Sequence, residues 1–260
     1  MNISMNKKVD ILILFVFIIF AVYFSLTWRL GLLPSMVLFF VLPTFYLFLR
    51  GDFNYKKVFI SSLAGAFLAS IIDAIGAANR AWWVPQNQLV VPWRPFGYWV
   101  LDDTIWFIFY ILFVVTFYAH FLDKKTSFGL SRRFYIVGFF QVVFIFVLLL
   151  ILFLSKQELR YAYLWLGSLA TLPILIPLLF VRKAIPLFGK FFLAGMFFFV
   201  INLAYEIVAL KVGLWQFPGE YIGTVNLAGV IIPIEEFIFY ILISAFSALA
   251  YYEIFVDDLS

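Results

Sequence analysis

The chain of 260 residues contains no cysteine. Disulfides, thiolate metal sites and cysteine nucleophiles are therefore excluded. It contains one histidine, His120, beside Asp123-Lys124-Lys125 at the end of an apolar run. There it reads as a surface residue, which disfavours histidine-based metal sites and proton relays. Charge is scarce as well, with 12% of residues Asp, Glu, Lys or Arg. No glycine-rich phosphate loop or dinucleotide fingerprint follows a plausible strand. The expectation is chemistry that uses no cofactor and no metal.

What is present is apolar side chain. The chain is 66% hydrophobic with a mean hydropathy of +1.08, and runs long enough to span a bilayer recur throughout. This predicts an all-α, polytopic membrane helix bundle embedded in the cell membrane. Helices are expected near residues 10–28, 31–49, 57–78, 102–121, 134–154, 162–181, 188–210 and 232–252. The boundary at Thr27-Trp28-Arg29-Leu30-Gly31 is the least defined, so a seven-helix reading stays open beside the eight. Lys7-Lys8 before an apolar stretch resembles a signal peptide, but no small-residue cleavage site follows, so the stretch reads as a retained first helix. With an inside N-terminus, 12 of the 18 Lys and Arg residues fall on inner segments and 6 on outer ones. That bias predicts both termini in the cytoplasm. The net charge of +4 is thus a topology signal rather than a nucleic-acid footprint.

Against this background the acids stand out, because a charged side chain at the bilayer centre costs about 2.5–3.5 kcal/mol on insertion scales. Asp73 and Glu206 fall late within apolar helices, and Asp102-Asp103 and Glu235-Glu236 open two others. They are spaced regularly. Asp73 and Glu206, Trp82 and Trp215, Pro85 and Pro218, Asp102 and Glu235, and Asp103 and Glu236 are each 133 positions apart. The pattern divides the chain into a first repeat, 1–130, and a second, 131–260. Four helices per repeat give both halves the same orientation, hence a parallel repeat about an axis along the membrane normal. Both acid clusters then lie at one depth and face one cavity.

Paired carboxyls in an apolar site rarely both ionise, so such a pair is a place to keep a proton. Pro233 suits the first turn of the last helix, and the helix dipole favours Glu235 and Glu236 there. A plain helix cap is therefore an alternative for that pair, and an ion pair with Arg80 or Arg94 is one for Asp73. Asn202, one turn before Glu206, is placed to orient it. Trp82 and Trp215, in the long outer loops, either belong to an aromatic belt or fold back to line the site. Tyr205, Trp106, Phe239 and Tyr240 lie beside the acids and could stabilise a cation through their ring faces.

Three segments carry a resemblance: Glu206; Trp215-Gln216-Phe217-Pro218-Gly219-Glu220-Tyr221-Ile222-Gly223; and Ile232-Pro233-Ile234-Glu235-Glu236-Phe237-Ile238-Phe239. The second half resembles the membrane-integral lycopene cyclase domain family, cofactor-independent carotenoid cyclases found as two small subunits or one fused chain. The family's hallmark is Pro-X-Glu-Glu/Asp opening a helix, which Pro233 to Glu236 match. The likeness covers most of 188–252 and, loosely, 57–121. The first half departs from it: Leu101-Asp102-Asp103 lacks the proline and carries aspartates, and Val91-Pro92-Trp93-Arg94-Pro95 is unlike the family.

The resemblance implies redox-neutral, acid–base cyclisation of the end group of lycopene or a related linear polyene. An acid protonates the terminal double bond, an internal alkene attacks the cation, and a base removes a proton. The expected catalytic set is Glu235, Glu236, Glu206, Asp73, Asp102 and Asp103. Glu235 or Glu236 is expected as the acid, held by its neighbour, with Glu206 or Asp73 and Asp102/Asp103 as base or second acid. The implied partners are a long apolar polyene and the lipid bilayer, with a homo-oligomer or an association with other carotenoid-pathway enzymes allowed. The competing expectations are a non-enzymatic membrane binder or transporter of a hydrophobic solute, and another membrane terpene cyclase.

Overall fold

The computed structural model describes residues 5–51, 54–123, 159–180 and 185–253, with isolated stretches between 135 and 150. The described chain is mostly helical. We number the helices α1 (Met5–Trp28), α2 (Leu32–Arg50), α3 (Tyr55–Ala78), α4 (Leu101–Phe121), α5 (Ala162–Phe180) and α6 (Ile185–Val212), followed by a broken helix α7 (Ile234–Leu242 and Ser244–Tyr251). Five of them, α1 to α4 and α6, are long and apolar enough to cross a membrane, and α7 makes six if its two pieces form one span. The apolar part of α5, Ala162–Ile176, is shorter. The helix expected at 134–154 lies largely outside the described residues; those described between 135 and 150 are helical.

The irregularities have local causes. In α2 the backbone widens to π geometry over Val37–Val41, just before Pro43, which brings no N–H to the helical ladder. Asn54 caps α3 by accepting a hydrogen bond from the Lys57 N–H at 3.3 Å. The helix ends where Arg80 turns left-handed, at φ 58°, and the Ala81 N–H closes on the Gly76 carbonyl at 2.8 Å. Helix α6 ends the same way, with Gly213 at φ 81° and the Leu214 N–H on the Ala209 carbonyl at 2.8 Å.

The segment before α7 differs from its predicted helix. Thr224–Leu227 (β1) and Val230–Pro233 (β2) form an antiparallel hairpin, with Leu227 opposite Val230 and Thr224 opposite Pro233. Its two-residue turn, Ala228-Gly229, has φ values of 52° and 81°, the geometry that matches strand twist. Pro233 thus ends a strand and stands just ahead of the helix, with ψ 144°, rather than in its first turn. Helix α7 is π-shaped over Phe237–Leu242 and bends by 40° at Ile243.

The core is aromatic. Phe39, Phe40, Phe113, Phe198 and Tyr205 are fully buried, and rings from α2, α4 and α6 meet edge to face, as in Phe40–Trp106 at 5.4 Å and Phe113–Phe198 at 5.0 Å. At the far end of α4, His120 is buried, not superficial. Its Nε2 lies 2.9 Å from Asp10 Oδ2. Asp10 also accepts from the Tyr46 hydroxyl at 2.6 Å and Arg50 Nε at 2.9 Å. An intramembrane acid is costly alone, and this one is neutralised by α2 and α4 closing on α1.

Candidate functional site

The acids converge at the end of the bundle where α3 and α6 finish and α4 and α7 begin. Two loops meet there back to back. Trp83 and Gln216 exchange backbone hydrogen bonds, at 2.9 Å from the Trp83 N–H and 2.8 Å from the Gln216 N–H. Tyr221 ties them further, donating its hydroxyl to the Ala81 carbonyl at 2.7 Å while accepting from the Gly219 N–H at 2.8 Å. Burial pushes that phenol up to about 12. Addition of a Cβ at Gly219 would bring it 2.7 Å from the Arg80 carbonyl oxygen, so only glycine fits this approach.

Each loop sends an indole to an acid on the preceding helix. Trp82 Nε1 donates to Asp73 Oδ1 at 2.6 Å, and Trp215 Nε1 donates to Glu206 Oε1 at 3.1 Å. Trp82 reaches Asp73 by lying flat over Gly76, where an added Cβ would fall 2.1 Å from the ring. Each of these acids pairs, carboxyl to carboxyl, with the second acid of a helix start: Asp73 with Asp103, and Glu206 with Glu236. Two carboxyls bond only through a proton held by one of them. With both ionised, Glu206 Oε2 is a buried atom with no partner among the described residues; a shared proton satisfies it.

The first acid of each helix start does something else. Asp102 accepts from the backbone N–H groups of Val90, at 2.6 Å, and Val91, at 3.1 Å, and Glu235 accepts from that of Ile222 at 2.7 Å. These carboxylates pin the returning loops to the helix N-termini, the capping role. They do not pair with their sequence neighbours as expected for the acid pair Glu235-Glu236.

An apolar cavity of about 280 Å³ opens beneath, within a helical bundle where such sites occur. Asp73, Asp103 and Glu236 line it together with Trp82, Trp106, Tyr110, Tyr163, Trp215, Phe239 and Tyr240. Exposure separates the acids cleanly. Asp73, Asp103 and Glu236 retain 7%, 8% and 6%, while Asp102, Glu206 and Glu235 retain none. From its acid end the cavity follows α3 through Ile72, Ala69 and Gly65 to Ser61, and α7 to Ser247 and Tyr251.

Of the aromatic residues singled out from sequence, Trp82, Trp106, Trp215, Phe239 and Tyr240 are on the wall. Tyr205 is behind it, fully buried against Phe39, Phe40 and Trp215, with its hydroxyl 3.3 Å from Ser35 Oγ. Asn202 does not orient Glu206. Its Nδ2 reaches the Tyr110 hydroxyl at 3.0 Å, the Tyr240 carbonyl at 3.2 Å and Ser244 Oγ at 3.3 Å. It shares the Tyr240 carbonyl, next to the break in α7, with the Ser244 hydroxyl. Arg94, an ion-pair candidate for Asp73, lies over the Trp83 ring at 4.2 Å and donates from Nε to Gln86 Oε1 at 3.1 Å and from Nη2 to the Val84 carbonyl. Burial lowers its pKa, while the charges of Asp103 and Asp73 act to raise it.

Two residues were not foreseen. Tyr163 on α5 donates its hydroxyl to Glu236 Oε2, and its ring stands 4.6 Å from Trp82 and 6.3 Å from Phe239. Tyr110 lies stacked on Trp106 at 5.2 Å. Each is one aromatic ring among several in its stretch of sequence, which gives no sequence signal. Among the described residues no three His, Cys, Asp or Glu side chains gather as a metal cage. Comparison with protein families, characterised proteins and solved structures yields no match to this chain.

Proposed function

We propose that the chain is a membrane carotenoid cyclase that isomerises the end group of lycopene or a related linear polyene. The observation that carries the reading is the cavity: an apolar chamber running along α3 and α7, one end of which holds cavity-facing carboxyls from two adjacent acid pairs, walled by aromatic rings. General acid–base catalysis needs groups of different protonation at one pH, and a carboxyl pair sharing one proton supplies them. Ring faces add to the carboxylates in stabilising a cation in an apolar site. A transporter working by a proton relay would need acids strung along a path, whereas these acids cluster at one end of the cavity.

The same reading includes a tandem parallel repeat of four plus four helices, with eight spans and both termini in the cytoplasm. Its support is the matched pattern of contacts 133 positions apart, indole to acid and carboxyl to carboxyl, together with first acids at the same offset that each hold the backbone of the preceding loop. Orientation is tested by single cysteines at Asn87 and Asn226, both exposed, which are expected to be labelled by an impermeant reagent from outside intact cells. Labelling only after lysis would reverse the topology.

Function is tested by expressing the chain in a host that accumulates lycopene and analysing its pigments. New cyclic products that vanish with Glu236→Gln support the cyclase. Unchanged pigment with well-expressed protein, for lycopene and for shorter acyclic polyenes, would sink it in favour of a binder or transporter.

A further inference from the structure

We propose that the two acid pairs divide the proton transfers: Asp103 gives the proton to the end-group double bond, Glu236 takes one from the cyclised cation, and Tyr163 positions Glu236. The proposal rests on the cyclase reading and goes beyond it by assigning a direction across the cavity.

Three independent observations give that direction. The first is the donor inventory. Asp73 accepts the Trp82 N–H at 2.6 Å, and the one side-chain hydrogen-bond partner of Asp103 among the described residues is Asp73. A hydrogen bond from an N–H favours the ionised form of the carboxyl that accepts it, so the proton shared by this pair falls to Asp103. In the other pair both acids hold a donor, Glu236 Oε2 the Tyr163 O–H and Glu206 Oε1 the Trp215 N–H at 3.1 Å, but Glu206 Oε2 has none among the described residues. A proton on Glu206, given to Glu236, completes that pair. The second is exposure. Asp103 opens to the cavity, but Glu206 is wholly enclosed behind Glu236. The cavity therefore meets a protonated Asp103 beside Asp73 on one side, and an ionised Glu236 with its protonated partner enclosed on the other.

The third is charge. Arg94 acts on Asp73 and Asp103, and among the described residues no basic side chain acts on Glu206 or Glu236. A guanidinium stabilises the conjugate base left by donation. Tyr163 has no counterpart in the first half, where the residue 133 positions earlier is Leu30.

The bookkeeping closes without an oxidant or reductant. The Asp103 O–H bond breaks and a C–H bond forms at the terminal alkene. The next alkene's π electrons form the ring C–C bond. A ring C–H bond then breaks, its electrons become the ring double bond, and its proton goes to Glu236. Substrate and product are isomers. After release, Glu236 returns its proton to water and Asp103 takes one up.

The experiment is turnover in D₂O, with the recovered polyene analysed for deuterium by mass spectrometry. The unmodified protein is run first: if it makes no cyclic product, the cyclase reading has failed and not this assignment. Where it does, Asp103→Asn is expected to lose cyclisation about 10³-fold and leave recovered substrate unlabelled. Glu236→Gln is expected to lose cyclisation equally but to return substrate carrying deuterium at the end group, since protonation still occurs and reverses. Asp103→Glu, which keeps the acid, restores part of the activity and so separates a lost proton from a lost fold. Tyr163→Phe is expected to lower kcat about tenfold with KM unchanged and label exchange intact. Exchange in Asp103→Asn but not in Glu236→Gln would reverse the assignment, and identical behaviour of the two would overturn it.

Discussion

Trp83 and Gln216 exchange both backbone hydrogen bonds, at 2.9 and 2.8 Å, and stand 133 positions apart. Residues that give and receive the same bonds are what a two-fold relation places on its axis. The neighbouring indoles support the same proposed symmetry, with Trp82 serving Asp73 as Trp215 serves Glu206. Symmetry of contact does not mean symmetry of effect. Asp73 is on the cavity wall and Glu206 is behind it. A hydrogen bond to a charged group contributes about 1.5–3 kcal/mol, roughly ten- to a hundredfold in rate. Trp82→Phe is therefore expected to reduce product formation by about that factor, and Trp215→Phe by less. The measurement is initial rate in detergent or vesicles at matched protein amount.

Neighbouring acids are expected to part company on mutation. Glu235 is an acceptor for the Ile222 N–H at 2.7 Å, a role a glutamine oxygen fills. Glu235→Gln should keep activity within about threefold, whereas Glu236→Gln loses it about 10²–10⁴-fold. Asp102 accepts two backbone N–H groups with its two oxygens, and Asn offers one. Asp102→Asn should cost about 1–3 kcal/mol of stability, the penalty for a buried donor left unmatched, with activity per folded molecule kept. Thermal denaturation read beside turnover distinguishes the two effects; equal loss of activity in Glu235→Gln and Glu236→Gln would contradict the assignment.

The reach of sequence reasoning here follows physical contrast. The acids and their spacing were visible because carboxyls in an apolar chain have little to hide among, and the indoles because Trp82 and Trp215 share the acids' 133-residue offset. Tyr163 was invisible for the opposite reason: one phenol in an apolar helix looks like every other aromatic until a carboxylate is found beside its hydroxyl. The hairpin at 224–233 was missed because Ile231-Ile232-Pro233 reads as the start of the following helix and Ala228-Gly229 lacks the usual Asn-Gly turn. Asp10 was taken into the first helix beside Lys7-Lys8, and nothing in sequence links it to His120, 110 positions away. Arg94 was noted as a departure from the family pattern; its place beside Asp73 and Asp103 required the loop to fold back over Trp83.

Length selection should reside in the far part of the cavity. From Asp73 to Ser61 along α3 the wall covers roughly 18 Å at 1.5 Å per residue. Ala248 lies on the opposite wall toward that far end. Ala248→Phe fills the channel while leaving the acids untouched. With paired long and short acyclic polyenes, the variant should lose at least about tenfold on the long one relative to the short. An unchanged ratio would mean that the chain leaves the cavity before it reaches Ala248.

The opposite end of the bundle offers a control in which stability and chemistry separate. Asp10 gathers Tyr46, Arg50 and His120 from α2 and α4 onto α1, with contacts of 2.6, 2.9 and 2.9 Å. None of the four lines the cavity. Asp10→Ala strips the Tyr46 hydroxyl of its acceptor inside the bundle and removes the carboxylate that faces Arg50 and His120, and an unmatched buried donor carries its full desolvation cost. The thermal midpoint in detergent should fall by roughly 5 °C for a chain of this size. Below that midpoint, kcat and KM should stay within about twofold of the unmodified protein. A fall in kcat at unchanged thermal midpoint would mean that this cluster communicates with the acid pairs along α4, which carries His120 at one end and Asp103 at the other.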